Sequence, residues 1–87
     1  MTIWKFPLAI TDEQYVDIPE INRPLTVQMQ SGSGPCLWAV VEASCGCRRV
    51  KIRTFGTGHP GVTGGMDYIG TYQTGSLVFH VFIEPTH

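Results

Sequence analysis

The chain predicts an all-β fold: a small antiparallel sandwich or partly open barrel of six or seven short strands. Three observations carry that expectation. Ten glycines and six prolines punctuate the 87 residues at short intervals. β-Branched and aromatic residues fill the gaps, in several places alternating with polar ones. Helix signals are almost absent.

The elements follow in order. Thr2 to Leu8 predicts a first strand with Trp4, Phe6 and Leu8 on one face. Gln14 to Ile18 predicts a short second one, with Val16 and Ile18 inward and Pro19 ending it. Leu25, Val27 and Met29 alternate with Thr26, Gln28 and Gln30, the pattern of a strand with one buried face. Ser31 to Gly34 is a turn, so 23–30 and 36–42 read as a hairpin. Cys36 to Val41 is continuously apolar, as in a strand covered on both faces. After a turn at 43–47, residues 48–55 return as another antiparallel strand. Met66 to Thr71 predicts a short strand. Ser76 to Ile83 closes the series, with Leu77, Phe79, Val81 and Ile83 on one face and His80 on the other.

Length and composition set limits. Eighty-seven residues make one domain, 1–87, with a small core. Such a chain buries only roughly 60–65% of its unfolded surface, and self-association is a common remedy. Charged residues are 15% of the chain, against a usual value of about 25%, which also favours a homo-oligomer. A net charge of −1 argues against duplex nucleic acid as partner. No apolar run approaches the roughly 20 residues of a membrane span. The N-terminal stretch lacks a secretory signal's long apolar core, and three cysteines form no even framework. These features predict free thiols and a cytoplasmic setting.

The stretch Arg48 to Pro60 points most directly at a ligand. Four of the six basic residues, Arg48, Arg49, Lys51 and Arg53, lie within six positions. On a strand, Arg49, Lys51 and Arg53 share one face while Val50, Ile52 and Thr54 take the other. The alternative is the solvated face of an edge strand, where such residues discourage aggregation. A glycine-broken loop follows, with Gly56, Thr57, Gly58 and His59 offering backbone amides, a hydroxyl and an imidazole to a phosphate, ribose or base. It is neither a Walker loop nor a dinucleotide fingerprint, because no Gly-Lys-Ser/Thr and no helix follow. Tyr68 and Tyr72 offer stacking surfaces, and Thr71 a polar contact.

Other groups carry less. Cys45 and Cys47 with His59, His80 or His87 form only a weak metal pattern, since zinc sites space paired cysteines by two to four residues. No motif marks a cysteine–histidine nucleophilic pair. No spacing among Asp12, Glu13, Asp17 and Glu84 marks an acid/base pair. No catalytic residue, metal or cofactor is therefore assigned.

Six segments cover nearly the whole chain: IWKFPL at 3–8, LTVQMQ at 25–30, PCLWA at 35–39, FGTGHP at 55–60, YIGT at 68–71 and LVFHVF at 77–82. Together they resemble a family of short open reading frames in bacteriophages and prophages, most specifically in the GTGHP, YIGT and LVFHVF blocks. The segment 42–47 departs from the longer acidic loop of that family. The resemblance carries over no catalytic residues. It implies a phage protein acting in the host cytoplasm, where small phage proteins counter host defence, some as sponges for nucleotide immune signals. The expected function is thus to bind and sequester an anionic nucleotide-like signal, a cyclic nucleotide among the possibilities. Alternatives are inhibition of a host defence or host enzyme complex, a minor structural role in the phage particle, and cleavage of a nucleotide signal.

Overall fold

The computed structural model describes residues 1–84, the side chain of Asn22 apart. His87, one of the weak metal candidates, lies outside the described residues. Seven strands form: β1 (Thr2–Pro7), β2 (Glu13–Ile18), β3 (Ile21–Gln30), β4 (Gly34–Val41), β5 (Arg48–Gly56), β6 (Asp67–Thr74) and β7 (Leu77–Glu84). They build two antiparallel sheets, β1-β4-β3 and β2-β5-β7-β6, stacked as a sandwich and not closed into a barrel.

The core lies between the sheets. Phe6, Leu8, Val27, Leu37, Ala39 and Val41 meet Ile18, Ile52, Ile69, Tyr72 and Val81. These are the alternate residues of their strands, as a two-layer fold requires, except in β6, where Ile69 and Tyr72 lie three apart. The continuous apolar run of β4 suits its central place between β1 and β3. Leu37 is fully buried there, opposite both Phe6 and Val27.

Several expectations are corrected. Leu25 and Met29 do not face inward with Val27; both are largely exposed. β3 carries irregularities between Ile21 and Arg23 and between Pro24 and Thr26, so Leu25 falls out of the alternating register. Met29 shares Val27's parity but lies at the hairpin end, beyond the opposing sheet's cover. Trp4 is 41% exposed because the first half of β1 overhangs the core. Leu77 is exposed at the tip of the β6–β7 hairpin. The basic segment 48–56 does not lie beside 36–42. It crosses to the other sheet and runs between β2 and β7, so it is an interior strand and not an edge.

Two devices shape the second sheet. β6 pairs with β7 through a bulge at Ile69: Tyr68 opposes Phe82, and the next pair is Gly70 with Val81. The extra residue reverses the alternation, so Tyr68 and Thr71, three apart, face the same side. At Gly70 the two sheets approach closely. A Cβ built there would stand 2.7 Å from the backbone nitrogen and 2.8 Å from the Cβ of Val27. Only glycine fits that contact.

Candidate functional site

The site is the outer face of the sheet β2-β5-β7-β6. Register sets its rows. Glu13, Arg53, Phe82 and Tyr68 lie side by side across the four strands. Tyr15, Lys51 and Glu84 form the neighbouring row on one side. Phe55, His80 and Thr71 form the row on the other.

Arg49, Lys51 and Arg53 share this face, as the alternation requires. Each has a carboxylate beside it. Lys51 Nζ lies 2.8 Å from Glu84 and 3.2 Å from Glu13. Arg53 Nη1 reaches Glu84 at 3.5 Å, and Arg49 Nε lies 3.9 Å from Asp17. The face is thus near electroneutral, with three cations against three carboxylates. Arg49 and Asp17 are well exposed, and their loose contact contributes little. The side chains of Lys51, Arg53 and Glu84 are only 22%, 25% and 28% exposed, so water and salt screen them less.

Of the two less exposed cations, Lys51 and Arg53, Arg53 is the less satisfied. Its one contact to Glu84 is long, and its buried Nε has no partner among the described residues. Its guanidinium sits 5.2 Å from the centre of the Phe55 ring, in cation–π range. An arginine held by a ring but short of acceptors is ready to take a bidentate oxyanion.

Phe55 is the shared floor of the site. It points outward, yet it is 7% exposed because three groups cover it. Arg53 lies on one side. Phe82 packs edge-on at 5.8 Å, and Tyr68 packs edge-on to Phe82 at 5.6 Å. The glycine loop folds back on the third side: Gly61, at φ +113°, comes so near that a Cβ there would lie 3.2 Å from Phe55. The loop and the basic strand are therefore brought together, on two sides of one ring.

A chain of hydrogen bonds borders this aromatic band. Tyr68 Oη and Thr71 Oγ1 are 2.7 Å apart, Thr71 Oγ1 and His80 Nδ1 3.2 Å, and His80 Nε2 and Thr57 Oγ1 2.8 Å. A neutral imidazole has one donor and one acceptor nitrogen, so His80 passes a single hydrogen-bond direction from one threonine to the other. Its placement was legible in the LVFHVF alternation, but its partners were not. His59 lies in the loop with its N–H bonded to the Gly56 carbonyl and its ring against Gly56. Gly58, at φ +90°, supplies the turn.

Tyr72 is a correction. It was expected to stack on a ligand, but it is 3% exposed and packs in the core against Phe79, 5.3 Å between ring centres. The bulge at Ile69 explains this: with the alternation reversed, residue 72 faces inward while residue 68 faces out. Its hydroxyl is buried without a partner among the described residues, and burial pushes its pKa up.

The cysteines lie elsewhere. Cys36 is buried on the other sheet. Cys45 Sγ stands 3.7 Å from a Glu20 carboxylate oxygen; burial first, and that carboxylate second, raise its pKa and disfavour the thiolate. Among the described residues, no group of three or more His, Cys, Asp or Glu side chains is placed to hold a metal ion.

Two clefts flank the site. One, of about 430 Å³, lies between the 56–59 loop and the β6–β7 hairpin end, with Thr57 in its wall. The other, of about 540 Å³, opens between the sheets at the opposite end. Its walls include Ile21, Val50, Ile69 and Ile83 with Arg48, Glu20 and Asp67. Arg48 thus leaves the company of the other three basic residues.

The ion pairs make acid sensitivity predictable. The bonded Lys51 ammonium holds the Glu84 carboxyl below its ordinary 4.5, and burial opposes it. Hydrogen bonds that its ammonium donates to Glu84 first and Glu13 second hold Lys51 above its ordinary 10.5. A depressed carboxyl contributes stability that is whole above about pH 4.5 and is lost as pH falls through the lower folded-state value. Urea unfolding from about pH 6 to about pH 2 is expected to show a shallower loss of stability for Glu84→Gln than for wild type. Equal slopes would show that Glu84 titrates alike folded and unfolded.

Fold and face define a small two-sheet all-β domain with an aromatic, ion-paired outer surface. The chain belongs to the family described as Domain of unknown function (DUF7352), whose model matches residues 1–87. No curated protein and no solved structure matches the chain.

Proposed function

We propose that the outer face of the four-stranded sheet binds and sequesters an anionic, nucleotide-like molecule. The observation that carries this reading is Arg53, poised on the Phe55 ring with, among the described residues, one long contact to Glu84 and no partner for its buried Nε. Phe82 and Tyr68 supply an aromatic band beside it, and Thr57, His80 and Thr71 supply polar contacts along its border. Base stacking and charge-assisted hydrogen bonds are the two contributions that hold nucleotides.

The near-neutral charge of the face shapes the mechanism. A phosphate does not meet free cations. It displaces Glu84 from Arg53 and Lys51, so capture is an exchange of one anion for another. Glu84→Gln therefore tightens anion binding while weakening the resting ion pairs, and isothermal calorimetry with a cyclic dinucleotide reads the change. An unchanged or weaker affinity would contradict the exchange. The phage setting implied by the resemblance fits capture without turnover in a host cytoplasm.

The reading is tested by calorimetry against a panel of cyclic and linear nucleotides. Binding by wild type and about 10- to 100-fold weaker binding by Arg53→Ala, with the fold intact by circular dichroism, is the expected result. Absence of binding across the panel would overturn it.

A second reading draws on another surface. Ile3 and Trp4 are exposed on β1, an edge strand, where unpaired backbone groups invite a further strand. That edge suits a second copy of the chain or a host protein. Ile3→Lys and Trp4→Glu would then lower the sedimentation mass or abolish co-purification; no effect on either would remove this reading.

A further inference from the structure

The cleft between the 56–59 loop and the β6–β7 hairpin end differs in chemistry from the Arg53 region. Its wall holds Leu77, Val78 and Phe79, with Thr57, His59 and Ser76 as the polar groups. Among the described residues, no carboxylate, lysine or arginine lines it. Its volume, about 430 Å³, is within the range of small-molecule sites, which are mostly apolar with a few polar groups. The larger cleft at the opposite end suits an anionic ligand less well, since Glu20 and Asp67 outnumber Arg48 on its walls.

The cleft without charged walls and the ion-paired Arg53 region meet at Thr57. This residue lines the cleft, and its hydroxyl also bonds His80 on the outer face. Its backbone N–H bonds the Val78 carbonyl, so it continues the β5–β7 register one step past Gly56. Arg53 and Thr57 are four residues apart, Thr57 one residue past the end of β5, with Phe55 between them. The separation is about 13 Å at a strand rise of about 3.3 Å per residue.

We propose that the site has two ends: the cleft beside Thr57 and Leu77 takes the neutral ring of the ligand, and Arg53 takes its anionic group. This deepens the nucleotide-binding reading and rests on it. The separation works as a ruler. A nucleoside monophosphate, with its base in the cleft, is too short to bring its phosphate to Arg53. A nucleoside diphosphate or a dinucleotide is long enough. The sugar and first phosphate then pass the covered Phe55 ring and lie along His80, where the Thr57–His80–Thr71 chain offers hydroxyl and imidazole edges.

The test is calorimetry with adenosine, adenosine monophosphate and adenosine diphosphate, on wild type, Arg53→Ala and Leu77→Asp. Leu77 is exposed, so its replacement leaves the fold intact, which thermal melting checks. The expected result is a gain of tenfold or more from monophosphate to diphosphate that disappears in Arg53→Ala. Leu77→Asp weakens all three ligands by a common factor. Equal affinity for mono- and diphosphate, or indifference of every ligand to Leu77→Asp, overturns the two-ended arrangement and leaves nucleotide binding standing. If neither these ligands nor any cyclic or linear nucleotide binds, the binding reading itself falls, and the ruler with it.

Discussion

Gly70→Ala is expected to destabilise the protein by about 3 kcal/mol, the upper part of the usual range for overpacking. The reason is local and rigid. The added Cβ would stand 2.7 Å from the backbone nitrogen of Val27, and a main-chain atom in a paired strand cannot swing aside. In a domain of this size a loss of that order lowers the melting temperature by about 12–24 °C. The control is Gly64→Ala. A Cβ at Gly64 meets nothing within 4 Å, so that change is expected to be near neutral. Combining Gly70→Ala with Val27→Ala removes only the 3.0 Å contact to the valine Cγ2 and leaves those to its backbone nitrogen and Cβ, so rescue is slight at best. If Gly70→Ala melts with wild type, the close approach of the two sheets is wrong. The same change also bears on the site. Gly70 follows the bulge that turns Tyr68 and Thr71 outward together, so a shifted β6 separates the hydroxyl chain from His80.

Leu37→Ala is expected to cost about 3 kcal/mol, within the 2–5 kcal/mol seen for large-to-small changes in cores. Leu37 lies at the centre of its sheet, fully buried, with Phe6 and Val27 as cross-strand neighbours. Its neighbours are held in paired strands, so the cavity cannot close by local collapse. A chain of 87 residues has a total stability of about 4–13 kcal/mol, so this loss leaves a weakly folded protein. Chemical denaturation reads it as a lower midpoint with an unchanged slope. Leu77→Ala, at an exposed position with the same residue type, is expected to change stability by less than about 0.5 kcal/mol. Similar effects of the two substitutions would contradict the division between core and surface.

How much of this was legible in the sequence follows from what each signal encodes. Alternation encodes which residues of one strand share a face, and it placed Arg49, Lys51 and Arg53 together and His80 opposite the apolar residues of β7. Glycine and proline spacing marked the seven strands and the β3–β4 hairpin to within a few residues. Alternation fails wherever one residue is added. The bulge at Ile69 turned Tyr72 into the core, and the irregular register of β3 turned Leu25 outward. Neither bulge has a local marker strong enough to read, because Gly70 signals one only when its partner strand is known. Pairing between distant strands is not encoded by alternation at all. The expected free cations therefore found Glu13 and Glu84, brought alongside by β2 and β7. The crossing of β5 to the second sheet was hidden for the same reason. Phe55 read as an ordinary strand residue, and its role as the floor between Arg53 and the loop emerges only when Gly61 is folded onto it.

The proposed ligand face is built by Arg53, Phe55, Phe82 and the Thr57–His80–Thr71 chain. Amide chemical-shift mapping of the labelled protein during titration with adenosine diphosphate tests it most directly. Saturable shifts are expected at Arg53, Phe55, Thr57, Thr71, His80 and Phe82, with β1, β4 and β3 unmoved. Shifts concentrated on the β1-β4-β3 sheet, or a spectrum that does not change while cyclic dinucleotides also leave it unchanged, would contradict it.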